Sequence, residues 1–193
     1  MTMKDDIAKA FEESVQAKKA FLKENLNTLI TVIDVIARAF LQGNKFLLFG
    51  NGGSAADAQH IAAEFVNRFR IERPPLPALA LTTDTSALTS IANDYDYTEV
   101  FAKQVKALGK EGDVALAIST SGNAANVLQA IDICKKLRIA TIGLTGGNGG
   151  KMAERVDYLL KVSEGKNTAR IQETHILVGH VICEMVDRKL FSA

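Results

Sequence analysis

The sequence predicts an α/β fold, built on a doubly wound and mainly parallel sheet of five strands with helices on both faces. From Lys45 onward, short runs in which every residue is apolar alternate with longer helical patterns, as is typical of strands buried on both faces of a parallel sheet. A length of 193 residues with 47% hydrophobic residues suffices for one full core. Because no repeat or linker interrupts the pattern, we expect a single domain over residues 1–193.

The N-terminal segment, residues 1–43, predicts a helical hairpin that precedes the α/β core of residues 44–193. Ile7, Phe11 and Val15 mark an apolar stripe on the first helix. The second helix is apolar nearly all round, at Leu26, Leu29, Ile30, Val32, Ile33, Val35 and Ile36. A helix of that kind must be buried on several sides, so we expect these helices to pack against another subunit. Gly43 and Asn44 should end the second helix.

The α/β core contains five predicted strands and five predicted helices. The strands cover residues 46–49, 78–81, 114–118, 140–144 and 158–162. The helices cover residues 54–69, 86–92, 98–108, 123–137 and 168–190. Three prolines between residues 74 and 77 form a stiff connection into the second strand.

The bulk composition excludes several classes of protein. A net charge of +1 gives no reason to expect nucleic acid or an anionic membrane as a partner. No apolar run approaches the ~20 residues of a membrane helix, and residues 1–6 lack the apolar core of a signal peptide. Cys134 and Cys183 lie in apolar helical patterns without a C-x-x-C partner, which favours buried, reduced thiols. We therefore expect a cytoplasmic protein.

A glycine-rich turn, Asn51-Gly52-Gly53-Ser54, leaves the first strand and opens a helix. Glycines at this position let backbone N–H groups approach an anion, and the helix N-terminus favours negative charge. The turn is neither a Walker A sequence nor a G-x-G-x-x-G fingerprint. Taken alone, it could equally be an ordinary strand-to-helix connection.

A second turn, Ser119-Thr120-Ser121-Gly122-Asn123, follows the third strand and precedes another helix. Its hydroxyls and backbone donors can surround a phosphate, although they could also simply cap the helix. Both turns lie at the carboxyl ends of strands, where parallel sheets bind ligands. Because neither turn supplies a fixed positive charge, the pair favours a sugar phosphate over a nucleoside triphosphate.

Two histidines have polar partners at helical spacing. His60 and Glu64 are four residues apart on the helix after the first turn, a spacing that can offer two metal ligands. Gln172 and His180 are eight apart on roughly one side of the last helix, whereas His175 is rotated well away from His180. His60 could instead be a surface residue paired with Glu64, and His180 could be a hydrogen-bonded core histidine.

Proton transfer is the chemistry that these groups favour, because histidine titrates near neutral pH and a carboxylate can remove a proton next to a carbonyl. Asn93 and Asp94 follow an apolar helix and could bind sugar hydroxyls. They could equally form a turn without a function.

At these residues the chain resembles the sugar isomerase (SIS) domain family, and most closely its branch that acts on heptose 7-phosphates. The resemblance covers nearly the whole chain. It implies an aldose–ketose isomerase that converts sedoheptulose 7-phosphate to D-glycero-D-manno-heptose 7-phosphate through an enediol, the first step toward the nucleotide-activated heptoses of lipopolysaccharide. It also implies a homotetramer with its sites between subunits.

The resemblance also assigns roles to individual residues. It implies one zinc ion per subunit, bound by His60, Glu64, Gln172 and His180. It makes Glu64 and His180 the pair that transfers protons. The implied substrate contacts are Asn51, Gly52, Gly53, Ser54, Glu64, Asn93, Asp94, Ser119, Thr120, Ser121 and Gln172.

Two positions depart from the family pattern. Ala124 stands where the family commonly has a serine that helps to hold the phosphate, and Ala169 stands where some members carry an aspartate. A non-catalytic branch of the family binds the replication initiator DnaA as a tetramer, and it is the main alternative. The presence of both Glu64 and His180 favours the isomerase over that branch and over a domain that only senses sugar phosphates.

Overall fold

The computed structural model describes residues 2–191. Its helices are α1 (Met3–Leu41), α2 (Gly53–Val66), α3 (Thr85–Asp94), α4 (Val100–Leu108), α5 (Ala125–Lys136) and α6 (Thr168–Phe191). Its strands are β1 (Phe46–Gly50), β2 (Ala78–Ala80), β3 (Val114–Ser119), β4 (Ala140–Gly146) and β5 (Tyr158–Val162). Short 3-10 helices cover Tyr97–Glu99 and Gly150–Met152.

The five strands form one sheet in the order β2-β1-β3-β4-β5, and every neighbouring pair is parallel. The predicted parallel sheet is therefore confirmed. After β2 the chain crosses back over β1 to form β3, so the strand order reverses between β1 and β3. A crevice opens at such a switch point, outside the carboxyl ends of the strands. Gly50 ends β1 opposite Ile118 of β3, so the two predicted ligand turns leave neighbouring strands.

Each face of the sheet is covered by its own layer of helices. Phe46 and Leu48 of β1 pack in the core formed with α1, α2 and α6. Leu47 and Phe49 pack in the core formed with α4 and α5. All four side chains are at most 1% exposed, which explains why the strand is apolar at every position.

The predicted N-terminal hairpin is wrong, because residues 3–41 form one continuous helix of 39 residues. No glycine or proline interrupts this stretch, so no residue favours a turn between the two apolar segments. Thr2 and Asp5 form a capping box at the start of α1. The helix ends at Leu41, and Gly43, which was predicted to end it, follows the C-cap residue Gln42 with a φ of +72° that suits glycine.

Both cysteines are buried and unpaired, as expected. Burial raises the pKa of the Cys134 thiol to about 12 and also raises the pKa of Cys183, so neither forms the reactive thiolate at neutral pH. Within residues 2–191, no helix has both the length and the apolar character that crossing a membrane requires.

Candidate active site

Three predicted site residues from two helices converge at one point. His60 and Glu64 lie on α2, and His180 lies on α6. The Nε2 atoms of the two histidines are 2.8 Å apart, and Nε2 of His60 lies 3.3 Å from a carboxylate oxygen of Glu64. The ligand atoms of all three residues lie within 4.8 Å of one another. The side chain of His60 is 49% exposed, so this cluster is open to solvent on one side.

A close contact between α2 and α6 brings the histidines together. Gly179 lies directly against Ile61, and a Cβ atom at Gly179 would stand 2.5 Å from a methyl carbon of Ile61. Only glycine lets the helices approach this closely. Because these residues are the chain neighbours of His180 and His60, their contact sets the distance between the two imidazoles. The ring of Phe69 also stacks on His180, with 5.4 Å between centroids.

A buried ion pair fixes the C-terminal end of α2 to α6. Arg73 donates to a carboxylate oxygen of Asp187 at 2.9 Å, and both side chains are at most 4% exposed. Arg73 also donates to the backbone carbonyl oxygens of Glu64 and Phe65, at 2.9 and 2.7 Å. These carbonyls belong to the last turn of α2, whose backbone acceptors have no partner within the helix itself. The pair therefore holds the turn that carries Glu64.

The donor atoms of the cluster fit a zinc ion. Two imidazole nitrogens and one carboxylate oxygen form the ligand set of many catalytic zinc sites, which keep a further position open for water or substrate. Two imidazole nitrogens at 2.8 Å must share a proton or an ion. The exposure of His60 provides the open side.

Gln172, the predicted fourth ligand, contacts the first turn. Its side-chain nitrogen would lie 2.3 Å from a Cβ atom at Gly53, so the amide lies directly against this turn and would have to move if position 53 carried a side chain. Asp57, one helical turn before the cluster, was not among the predicted site residues. Burial raises the pKa of its carboxyl, and the nearby charge of His60 lowers it by less.

The first turn is held through the side chain of Asn51. Its amide exchanges two hydrogen bonds of 2.9 Å with the amide of Asn126 on α5, and it accepts a third from the Tyr97 hydroxyl at 3.2 Å. Sequence analysis did not find Asn126 or Tyr97, since only the fold brings them to Asn51. Gly52 is exposed, whereas Ser54 is buried beneath Gly50.

The second turn is closely packed and rich in donors. Gly122, with a φ of +65°, lies so close to Gly149 that a Cβ atom would stand 1.9 Å from the carbonyl oxygen of Gly149. The side chain of Asn123 joins this turn to the next one, because it donates to the Ser121 carbonyl oxygen and accepts from the backbone N–H of Lys151. Thr120 is partly exposed and Ser121 exposed, whereas Ser119 is buried.

The start of α5, which follows the second turn, has no side-chain cap at Ala124. A helix N-terminus without such a cap keeps backbone donors for an anion. That the second turn binds a phosphate stays a prediction.

Asn93 and Asp94 lie at the exposed C-terminal end of α3. Asn93 donates to Asp94 at 2.9 Å, and within residues 2–191 neither side chain bonds to another predicted site residue. His175, predicted to turn away from His180, is fully buried, and its Nε2 lies 3.1 Å from the carbonyl oxygen of Thr145.

The chain is similar to known proteins over nearly its whole length. Residues 10–146 match the model of the SIS domain family. The phosphoheptose isomerase of Thermodesulfovibrio yellowstonii is 54% identical over 99% of this chain and 94% of its own length. Among solved structures, the phosphoheptose isomerase GmhA of Neisseria gonorrhoeae is 45% identical, with a TM-score of 0.90 over 96% of this chain and 99% of that one. A phosphoheptose isomerase from Francisella tularensis is 39% identical, with a TM-score of 0.93 over 97% and 100%.

Proposed function

The chain belongs to the SIS-domain family and, within it, to the phosphoheptose isomerases, which are sugar-phosphate isomerases, and from this membership we propose that it converts sedoheptulose 7-phosphate to D-glycero-D-manno-heptose 7-phosphate. In the cell, this would be the first step toward nucleotide-activated heptoses. The observation that carries the proposal is the convergence of Glu64, His180 and His60 at one point between α2 and α6.

We propose that the second turn binds the phosphate. The hydroxyls of Ser119, Thr120 and Ser121 and the uncapped start of α5 supply the donors. Asn51, Gly52, Gly53 and Ser54 of the first turn, with Gln172 above them, would contact the sugar, and Asn93 and Asp94 would bind its hydroxyls. The absence of a serine at position 124 removes one donor, so the backbone N–H groups carry more of the binding.

Glu64 and His180 are the proposed acid–base pair. Their polar atoms lie within 4.8 Å of each other, close enough for both to reach one substrate. One group removes the proton from C1 of the ketose and returns it to C2, and the other moves a proton between the two oxygens. The intermediate between these steps is an enediol, so the reaction needs no external oxidant or reductant.

Zinc is the proposed cofactor, one ion per subunit. His60, Glu64 and His180 would hold it, with Gln172 as the proposed fourth ligand. When bound, zinc supplies Lewis-acid polarisation of the substrate carbonyl. His60 would then serve the metal alone, whereas Glu64 and His180 would serve both the metal and the proton transfer.

A homotetramer with its sites between subunits is the proposed assembly. Its support is an exposed apolar stripe along α1, formed by Met3, Ile7, Phe11, Val15, Leu22, Leu26 and Ile30. A continuous apolar surface of this kind marks an interface. The partial exposure of His60 is consistent with a neighbouring subunit that completes the site. The DnaA-binding alternative needs neither Glu64 nor His180, so their proximity favours the isomerase.

The test is turnover of purified protein with sedoheptulose 7-phosphate, after chelation and with or without added zinc, followed by NMR of the aldose product. We expect zinc-dependent conversion. Absence of conversion by folded protein under both conditions would overturn the proposed reaction.

The replacement Glu64→Gln removes the carboxylate and keeps its size. We expect turnover to fall by about 10²–10⁴-fold, while size-exclusion chromatography finds the assembly unchanged. Glu111→Gln is the matched control, because Glu111 is exposed and pairs with Arg138, not with a residue of the cluster. Near-normal turnover of Glu64→Gln would exclude Glu64 as an acid–base group.

A further inference from the structure

Three segments of the molecule meet at the side-chain amide of Asn51. Asn51 belongs to the first turn, Asn126 to the start of α5 after the second turn, and Tyr97 to the 3-10 helix that precedes α4. Asn126 is only 3% exposed, and no proposed step of the reaction uses it. Its burial beside two ligand turns requires an explanation, since a buried amide is costly unless it is hydrogen-bonded.

The hydrogen bonds determine which way each amide faces. The backbone N–H of Val127 donates to Asn126 at 2.9 Å, and because a backbone N–H can only donate, the atom that it contacts must be the amide oxygen. The nitrogen of Asn126 is then turned toward Asn51 and must meet an oxygen there. The orientation of Asn126 therefore fixes the orientation of Asn51.

The same bonds leave the Asn51 amide with one N–H group that is not hydrogen-bonded within residues 2–191. Its oxygen accepts from Asn126 and from the Tyr97 hydroxyl, which uses both lone pairs. Its nitrogen gives one N–H to Asn126, and the second N–H has no partner within residues 2–191. A ligand in the crevice thus meets Asn51 as a hydrogen-bond donor and not as an acceptor.

We propose that Asn126 is a positioning residue, which locks Asn51 as a donor to an oxygen of the sugar and couples the sugar-binding turn to the phosphate-binding turn. The proposal rests on the proposed function. Tyr97 supports the same orientation more weakly, because this residue is 58% exposed and water can replace its hydrogen bond.

The test is a double-mutant cycle with Asn51→Ala, Asn126→Ala and the double variant, each assayed for kcat and KM with sedoheptulose 7-phosphate. We expect each single replacement to lower kcat/KM by about tenfold, mainly through KM, as for loss of one oriented hydrogen bond. If Asn126 acts through Asn51, the double variant loses no more than Asn51→Ala alone. Independent losses that multiply to about a hundredfold would overturn the proposal, as would a normal KM in Asn126→Ala.

Two further variants separate positioning from folding. Asn25→Ala removes another buried asparagine, whose amide bonds within the described residues only to the backbone of Phe21 and Lys161, and should lower the melting temperature without changing KM. Asn126→Asp keeps the acceptor for Val127 but cannot donate to Asn51, so it should show the KM defect of Asn126→Ala in a folded protein. A normal KM in Asn126→Asp would contradict the assigned direction of the bonds.

An NMR measurement tests the orientation of Asn51 without turnover. It therefore remains decisive even if the wild type converts no heptose phosphate, a result that would refute the proposed reaction. The side-chain amide resonances of Asn51, assigned by their loss in Asn51→Ala, should exchange slowly with solvent in the wild type and at least tenfold faster in Asn126→Ala. Equal exchange rates in the two proteins would refute the lock itself.

Discussion

At the scale of single residues, the environments of the three histidines could be predicted only in part. His180 has apolar neighbours in the sequence and could have been a core residue, but it is partly exposed beside His60. The buried histidine is His175, with Nε2 on the Thr145 carbonyl oxygen. The helical spacing of His175 and His180 correctly predicted that their side chains point in different directions. It could not tell which direction faced the core, because that depends on where β4 and α2 pack against α6.

His175 should make the folded protein sensitive to acid. Burial lowers its pKa from 6.5 to about 4, although the hydrogen bond to Thr145 opposes the shift. Between these values the unfolded chain takes up a proton that the folded protein excludes, so the free energy of unfolding falls as the pH drops from about 6.5 to 4. The full loss is about 3 kcal/mol.

Chemical denaturation at pH 7 and pH 5, in the presence of a chelator, measures this effect. The comparison protein is His175→Gln, which keeps an N–H donor for Thr145 and cannot titrate. We expect the wild type to lose about 2 kcal/mol more than the variant over this interval. The same loss in both proteins would show that His175 does not cause it.

At the scale of elements, the strands and core helices were predictable because their patterns are strong. The apolar run of residues 158–162 predicted β5 with both ends correct, and the other strands differ by at most two residues at one end. The hairpin prediction failed because residues 16–23, which include three lysines, interrupt the apolar pattern between two apolar segments. Ala17 and Phe21 within them are nevertheless buried, so α1 continues through the gap.

The contacts that join one element to another could not be predicted from the sequence. The glycines of the first turn predicted that its backbone N–H groups can approach an anion, whereas the contact of the Gln172 amide with Gly53 was not predicted. Nothing local to Asn126 or Gly179 pointed to Asn51 or Ile61, because these contacts join elements that are distant in the chain. The metal-binding and substrate-binding roles of the residues stay predictions.

Two glycines of neighbouring turns allow the second turn to be tested. Gly122→Ala should abolish phosphate binding and lower the free energy of unfolding by more than ~2 kcal/mol, because its Cβ would overlap the Gly149 carbonyl oxygen. Gly147→Ala is the matched control, since its φ is also positive, at +56°, but nothing lies within 4 Å of the added carbon.

Calorimetric titration with inorganic phosphate, together with thermal unfolding, compares these two variants. The control should lose only the ~1 kcal/mol of backbone strain and should bind phosphate normally. Unchanged phosphate affinity in Gly122→Ala would show that the second turn is not part of the phosphate-binding site.

For the whole molecule, the apolar stripe on α1 is the feature that the isolated chain leaves unexplained. Its side chains extend over most of the helix, and Leu26 and Ile30 are about half exposed. We expect the double replacement Leu26→Lys and Ile30→Lys to convert the proposed tetramer to smaller species, because two charges cannot be buried in an apolar interface without partners.

Size-exclusion chromatography with light scattering measures the mass of this variant. Lys9→Glu is the control, a charge change at an exposed position of the same helix that is not part of the stripe. Circular dichroism should find the helix content of both variants unchanged. A double variant that keeps the mass of the wild type would rule out this part of α1 as the interface.

His60 and His180 are 120 positions apart in the sequence, and this separation has a consequence for how the enzyme is made. A ribosome delivers α2 early and α6 last, so a nascent chain carries His60 and Glu64 long before their partner emerges. Until α6 docks through Gly179 and Asp187, the growing polypeptide has at most two of the clustered ligands and cannot capture an ion with all three. Chains released before α6 is made would therefore lack His180 of the proposed acid–base pair, and the proposed metal site would be completed only at the end of synthesis.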